Sequence, residues 1–488
     1  MPPDPPTGSR PRPSISPDPR LAAALVAAKL TGSVIRRLGR GGGTAAPGLV
    51  ADRIDPNLLA KIARQLPQGT IVVAGTNGKT TVSRMLADIL QAHGWRVAHN
   101  RSGSNLVRGV AATFAAQASL RGDPRADIGV IETDEAALSE IVGHVAPRVI
   151  LLNNLFRDQL DRYGEINTIA TKWRSALATL PAESTVVVNG DDPTLAEITS
   201  GLAADRLAFG LDDRNPRHHL ATLPHAADAA SCRRCGHDLV YNALYASHLG
   251  DWFCPQCGTA RPPLDVRGLN IHLDGVEALR VTIDAPRADR RVPPLDLAVG
   301  IPGLYNAYNV VAVTAAARAL GVPDATIASA LATFRSAFGR IERITFRDRT
   351  LILALVKNPV GFNETLRMLT TATNGLTVPT LIAINDLDAD GRDVSWLWDV
   401  DFELLANGTA PLATTGIRGA DMANRLKYAG VDADRLRPLD VDLTRGLEAF
   451  VAGIPAGGTG YVLPTYTAML GLRRTLTALG AVETFWKQ

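Results

Sequence analysis

The chain is 488 residues long, with 51 Lys and Arg against 48 Asp and Glu, and 46% of its residues are hydrophobic. This length accommodates about two to four domains, each large enough to bury a core of its own. The near balance of charge creates no field that calls for nucleic acid, and no apolar run is long enough to span a bilayer.

Residues 1–20 carry many Pro and few apolar side chains, a composition that predicts a disordered tail. Residues 21–49 read as one helix, near 21–38, followed by the Gly-rich connection Gly39-Arg40-Gly41-Gly42-Gly43. No strand precedes those glycines, so a connection explains them better than a phosphate site. The apolar piece Leu21–Leu30 is short, Ala-rich and interrupted by Lys29; behind a long Pro-rich segment it does not read as a secretory signal. A cytoplasmic protein is expected.

Residues 50–344 read as a central ATP-binding domain. Strand-like pieces at 71–74, 128–132, 149–153 and 185–188 alternate with amphipathic helices, the pattern of an open, mostly parallel α/β sheet. The first strand runs into Gly75-Thr76-Asn77-Gly78-Lys79-Thr80-Thr81 and then a helical pattern through Leu90. Phosphate binding requires that order, because glycines let backbone N–H groups approach the oxygens and the helix N-terminus adds a favourable dipole. Lys79 is placed to reach the β/γ-phosphates, and Thr80 or Thr81 to offer Mg²⁺ a hydroxyl. The next strand delivers Glu132, Asp134 and Glu135 at its C-terminal end, where ligands of open parallel sheets collect. Glu132 is the expected Mg²⁺ carboxylate. The strand at 149–153 ends in Asn153 and Asn154, with Asp158, Gln159, Asp161 and Arg162 beyond it. The strand at 185–188 ends in Asn189, Asp191 and Asp192, of which Asn189 and Asp192 are candidates to meet adenine or sugar.

All four cysteines fall in an insertion over about 225–265: Cys232-Arg233-Arg234-Cys235, then eighteen residues, then Cys254-Pro255-Gln256-Cys257. Two CxxC pairs at this separation have the spacing of a tetrahedral Cys₄ zinc ribbon, and a cytoplasmic chain would keep a competing disulfide reduced. Four thiolates fill the coordination sphere, so the zinc is structural and no thiol remains for nucleophilic catalysis. Few basic residues surround the insertion, which reads as a folding staple or docking surface. Residues 345–488 alternate again, with LILALV at 351, TLIAIN at 380, PLATTG at 411 and TGYVLP at 459, and predict a second, smaller, Rossmann-like α/β domain.

The phosphate loop, the run from Glu132 to Glu135, the Asp158–Tyr163 segment and Asn189–Pro193 come in an order that resembles the central domain of Mur ligases. Gly303-Leu304-Tyr305-Asn306-Ala307-Tyr308-Asn309 and Gly339-Arg340 with Glu342 complete that order over about 70–345. In the C-terminal part, Lys357-Asn358-Pro359, Asn363, Asn385-Asp386, the run Asp390–Asp401 and Leu463–Ala468 resemble the MurT branch of that family. The resemblance implies ATP-dependent amidation of the α-carboxyl of D-glutamate in the lipid II stem peptide, through an acyl phosphate captured by ammonia. A GatD-type glutaminase partner would supply the ammonia, at the inner face of the cell membrane. It adds Asn306 and Arg340 to the nucleotide residues, makes Lys79 and Glu132 catalytic, and makes Asp393 the acidic residue lent to the partner's Cys-His pair, with Asp390, Asp399 and Asp401 as alternatives. Gln159 stands where many Mur ligases carry His, and Lys172 is a candidate for the family's modified lysine. Fewer than about 75 residues precede the phosphate loop, too few for the uridine-binding domain of nucleotide-linked Mur ligases. A folylpolyglutamate-synthase-like ligase is the nearest alternative, but it leaves the cysteine insertion and the Asp390–Trp396 segment unexplained. A zinc-ribbon nucleic-acid-binding ATPase is disfavoured by the charge balance.

Overall fold

The computed structural model describes residues 18–37, 45–100, 105–157, 166–225, 227–286, 292–335, 340–370 and 375–482, the side chains of Arg36 and Arg340 excepted. The expected tail therefore falls almost wholly outside the described residues, as do Gly39–Gly43, Asp158, Gln159, Asp161, Arg162 and Gly339.

A nine-stranded sheet organises the larger part of the chain. Its first six strands are β1 (Thr70–Ala74), β2 (Val97–His99), β3 (Ile128–Glu132), β4 (Val149–Leu152), β5 (Thr185–Asn189) and β6 (Asp205–Leu211). Next, β7 (Val240–Ala246) and β8 (Leu249–Phe253) form a separate antiparallel hairpin. Then β9 (Val266–Asp274), β10 (Ala278–Asp284) and β11 (Leu295–Val299) rejoin the sheet, whose order is β11-β10-β9-β6-β5-β4-β1-β3-β2. Pairing is parallel from β2 through β9 and antiparallel from β9 to β11.

β1 reads TIVVA and is buried throughout, as a central parallel strand covered on both faces must be. Successive residues face opposite layers. Ile71 and Val73 join one core with α4 (Lys79–Ala92), α9 (Leu304–Ala319) and α10 (Asp324–Thr333). Val72 and Ala74 join the other, with α1 (Pro19–Arg37), α2 (Ala45–Ile54), α3 (Leu58–Ala63), α5 (Val107–Gln117), α6 (Leu138–Val145), α7 (Ile166–Leu177) and α8 (Pro193–Ile198). On α4, Val82, Met85, Leu86 and Ile89 are fully buried, each contributing about 1.5–3 kcal/mol. Burial of that face fixes where the helix N-terminus, and so Lys79, points. Among the described residues, no helix is long and apolar enough to cross a membrane.

The second sheet is built from β12 (Arg340–Phe346), β13 (Arg349–Ala354), β14 (Thr380–Ala383), β15 (Leu412–Thr415), β16 (Leu436–Pro438) and β17 (Thr459–Pro464), in the order β12-β13-β17-β14-β15-β16. Helices α11 (Pro359–Thr370) and α12 (Gly419–Tyr428) cover one face; α13 (Leu443–Ala452) and α14 (Tyr466–Ala478) cover the other. β12 begins at Arg340, inside the stretch grouped by sequence with the central domain, and pairs antiparallel with β13 across a turn at Arg347 and Asp348. That local hairpin ties residues 340–344 to the C-terminal sheet.

Candidate nucleotide site and metal cluster

β1 ends at Ala74 between β3 and β4, so the loop over 75–78 emerges at the carboxyl edge of the sheet, where parallel strands leave a crevice. Gly78 caps α4 in a left-handed conformation, φ 86°, and Lys79 is the first helical residue. Lys79 is buried. Its Nζ donates to Glu135 Oε1 at 2.9 Å and to the Thr76 carbonyl at 3.2 Å. Burial opposes ionisation of Glu135, yet the charges of Lys79 and Lys357 outweigh it and hold the carboxyl below its usual range. Lys357 comes from the C-terminal part of the chain, so two cations from different domains converge on one acidic residue.

The Thr80 hydroxyl donates to Glu132 Oε1 at 3.0 Å, and the Ser83 hydroxyl to Oε2 at 3.5 Å. The Glu132 backbone is held from both sides by the Asn100 side chain, at 2.8 and 2.9 Å. A hydroxyl and a carboxylate converging at the start of a helix are hard oxygen donors suited to Mg²⁺, and the pair Thr80–Glu132 fits that ion.

An asparagine network fixes the loop. The Asn77 N–H donates to Asn154 Oδ1 at 2.8 Å, and its carbonyl accepts from Asn153 and Asn154, each at 3.0 Å. Asn153 also donates to Asn309 at 2.9 Å, and Asn309 in turn to Asn306. Asn358, at the start of α11, donates to Asn77 Oδ1 at 3.0 Å and reaches across from the C-terminal domain. Asn77, Gly78, Asn154, Phe156, Tyr305 and Lys357 are among the residues that line the cleft between the two domains.

Three expected nucleotide residues have buried side chains engaged with the protein itself. Asn189 is fully buried and donates to the Asn153 carbonyl at 2.9 Å. Asp192 is fully buried too: it caps α8 through the N–H groups of Thr194 and Leu195, and accepts from Leu155 N–H. Their side chains saturate neighbouring backbone and do not line the cleft, so they shape it from behind. Asn306 likewise links Pro302 and Asn309. Asp191, as fully buried as Asp192, is bonded to Tyr308 at 2.7 Å, Leu211 N–H at 2.9 Å and Arg261 at 3.0 Å. Its burial pushes its carboxyl up to about 6 despite the guanidinium. The strand carrying Arg340 is described, but its side chain is not.

The four cysteine sulfurs lie within 4.8 Å of one another, around the open end of the β7–β8 hairpin. Four soft thiolates at that separation are the donor set of a closed tetrahedral zinc site, and they fit the ion. In the C-terminal domain Asp393 is exposed, accepts from the Ser395 N–H at 2.8 Å and from its hydroxyl at 2.9 Å, and these bonds lower its carboxyl. Asp390 is tied to Thr467 and Asp401 to Asn363, and burial raises both. Asp393 is therefore the acid of the three that presents a charged, solvent-facing carboxylate. In the same domain Trp398, half exposed, lies against Tyr428, with ring centroids 5.6 Å apart.

Sequence reasoning left out Glu135 as the partner of Lys79, although the residue was visible in the acidic run. It also left out Ala246 and Leu249, which line the cleft from the cysteine insertion. Nothing in the local pattern of either marks a cleft wall.

A family model of the Mur ligase middle domain matches residues 73–249, and one of the MurT ligase C-terminal region matches residues 355–469. The lipid II isoglutaminyl synthase (glutamine-hydrolyzing) subunit MurT of Streptococcus pneumoniae is 33% identical over 459 residues, which cover 93% of this chain and 96% of that protein. Among solved structures, a pseudomurein peptide ligase type C from Methanothermus fervidus aligns with a TM-score of 0.65 at 15% identity, covering 86% of this chain and 80% of that one. The MurF ligase of Thermotoga maritima, solved in complex with ADP, aligns with a TM-score of 0.61 at 12% identity, over 88% and 84%. At such identities the structural likeness carries the fold alone.

Proposed function

This chain belongs to the MurT branch of the Mur ligase family, and on that premise we propose that it is the synthetase subunit that amidates the D-glutamate α-carboxyl of lipid II. The product is D-isoglutamine, and the nitrogen is ammonia released from glutamine by a GatD-type partner. The observation that carries the reading is the cleft itself. Lys357 lines it, Lys79 pairs with Glu135 at the end of the loop that forms one of its walls, the charge of Lys357 acts on that same Glu135, and Asn358 bonds Asn77 across the domain boundary.

The residues divide the work by chemistry. Gly75, Thr76, Asn77, Gly78 and Thr81 with Lys79 would cradle ATP phosphates, and Thr80 with Glu132 would hold Mg²⁺, which supplies charge neutralisation when bound. A substrate carboxylate oxygen attacks the γ-phosphorus as the bond to ADP breaks. Ammonia then attacks the acyl carbon, phosphate leaves, and the nitrogen loses a proton to solvent. Lys79 and Lys357 oppose the negative charge that gathers during transfer. The cysteine cluster would hold a zinc with four thiolates, a set that would leave no open position for this chemistry. Asp393, exposed and charged, is the residue this chain would offer the partner's Cys-His pair. The work would take place on the cytoplasmic side, at the inner face of the membrane.

The direct test incubates the chain with ATP, Mg²⁺, lipid II and a high concentration of ammonium salt, and reads the carboxyl-to-amide mass change. Amidated lipid II is the expected result. Absence of product both there and with the glutaminase and glutamine added refutes the reading. Amidation of a soluble glutamyl substrate instead would favour the folylpolyglutamate-type alternative.

A further inference from the structure

The β7–β8 hairpin of the cysteine insertion reaches well beyond its metal cluster. Its base holds the four sulfurs, while its far end enters the central domain. Ala246 and Leu249 stand on the cleft wall beside Asn77 and Gly78. His248, at the turn, is fully buried, accepts the Asp228 N–H on Nδ1 at 3.2 Å, and lies against Phe156 with centroids 4.9 Å apart. The Phe156 N–H in turn donates to Thr76 Oγ1 at 3.0 Å. The hairpin thus supports the phosphate loop through one intermediate residue.

It also meets the other domain. The pairing of β7 with β8 shifts register between Leu244 and Ala246, which sets Tyr245 out of the ladder. The Tyr245 carbonyl accepts from Arg367 Nη1 at 2.6 Å, and Arg367 Nη2 reaches the His218 carbonyl at 3.2 Å. Arg367 sits on α11, one turn beyond Glu364, to which it is also bonded at 2.9 Å and which lines the cleft. A planar guanidinium can bridge two carbonyls and a carboxylate at once; an ammonium cannot hold that fork.

We propose that the metal module is the seat on which the C-terminal domain rests, and that Arg367 is the positioning residue that docks α11 onto it. Two strands alone are marginal in water; the central core holds the far end of this hairpin through Tyr245 and Leu249, and the thiolate cluster ties its open end. Loss of the metal loosens the hairpin, frees Arg367 from its carbonyls, and lets α11 move away from the phosphate loop. The proposal rests on the nucleotide reading only for its binding readout; the contact itself is independent of it.

The test uses the full chain as zinc-loaded wild type, zinc-stripped wild type, Arg367→Ala and Arg367→Lys. Hydrogen exchange is followed at residues 240–253 and 359–370, zinc content is measured by elemental analysis, and a nonhydrolysable ATP analogue with Mg²⁺ is titrated. Arg367→Ala should keep its zinc, raise exchange in α11, and weaken the analogue at least about tenfold. Arg367→Lys, which retains a cation for Glu364, should lose less. Zinc stripping should raise exchange in the hairpin and in α11 together. Unchanged α11 exchange in the stripped chain, or in Arg367→Ala, overturns the proposal. If wild type itself fails to bind the analogue, the nucleotide reading fails, and the exchange data alone decide the role of Arg367.

Discussion

Replacing Gly78 by Ala tests the phosphate loop where it has least room. Gly78 has φ +86°, and a Cβ there would lie 2.3 Å from Asn309 Oδ1 and 2.6 Å from Asn153 Nδ2. Gly94, after α4, is the control: its φ is +94°, and nothing stands within 4 Å of its Cβ position. A left-handed conformation costs an L-residue about 1–2 kcal/mol, and both variants carry that cost. Gly78→Ala also displaces Asn153, which donates to Asn309 at 2.9 Å and to the Asn77 carbonyl at 3.0 Å. Two such bonds are worth about 1 kcal/mol each, so the excess over the control is about 2 kcal/mol. The loop relaxes in the free variant and must be rebuilt around phosphate, which weakens a nonhydrolysable ATP analogue about thirtyfold. Isothermal titration with Mg²⁺ reads that loss directly. Gly94→Ala should bind as wild type does and lose only about 1 kcal/mol of stability in urea. Equal affinity of Gly78→Ala and wild type would refute the assignment of this loop.

Three further outcomes follow from the same geometry. Lys79→Ala should abolish amidation with ammonium as donor while the far-ultraviolet circular dichroism is retained, and residual turnover near wild type contradicts the role of Lys79. Asp393→Asn should impair glutamine-driven amidation more than ammonium-driven amidation; equal losses remove its proposed part in the partner's site. Asp191 titrates in the fold at about 6 because it is buried, against an ordinary value of 3.8. The stability it contributes is therefore complete below about pH 3.8 and is lost as pH rises through about 6. Between pH 5 and 7.5 that loss is about 1.4 kcal/mol, so the urea stability of Asp191→Asn relative to wild type should improve by this amount over the window. A stability gap independent of pH counts against it.

The elements with the strongest local signals were legible in the sequence. β1 and the loop into α4 could be read because a β-branched run, two glycines and Lys-Thr impose one local geometry. The Cys₄ cluster was legible because CxxC spacing fixes how two thiols of one knuckle can meet. The acidic residues at the end of β3 were legible because a buried parallel strand has only one polar exit. Asp191 and Asp192 show the opposite case. Both sit in the same turn-like sequence, and only packing against Arg261 and Tyr308, or against the backbone of α8 and Leu155, gave each its task.

Patterns along the chain, then, determined the α/β class, the glycine loop that runs from β1 into α4, and the two CxxC pairs that come together as one cluster, since each is written in the periodicity or spacing of one stretch of sequence. The tertiary structure alone decided which acid pairs with Lys79 and that Asn77 meets Asn358. It also decided that the cysteine hairpin walls the cleft and meets Arg367. Those contacts join residues far apart in sequence, from 56 positions for Lys79 and Glu135 to 281 for Asn77 and Asn358. Side-chain burial and the stacking of layers select them, and neither leaves a periodic mark on the chain.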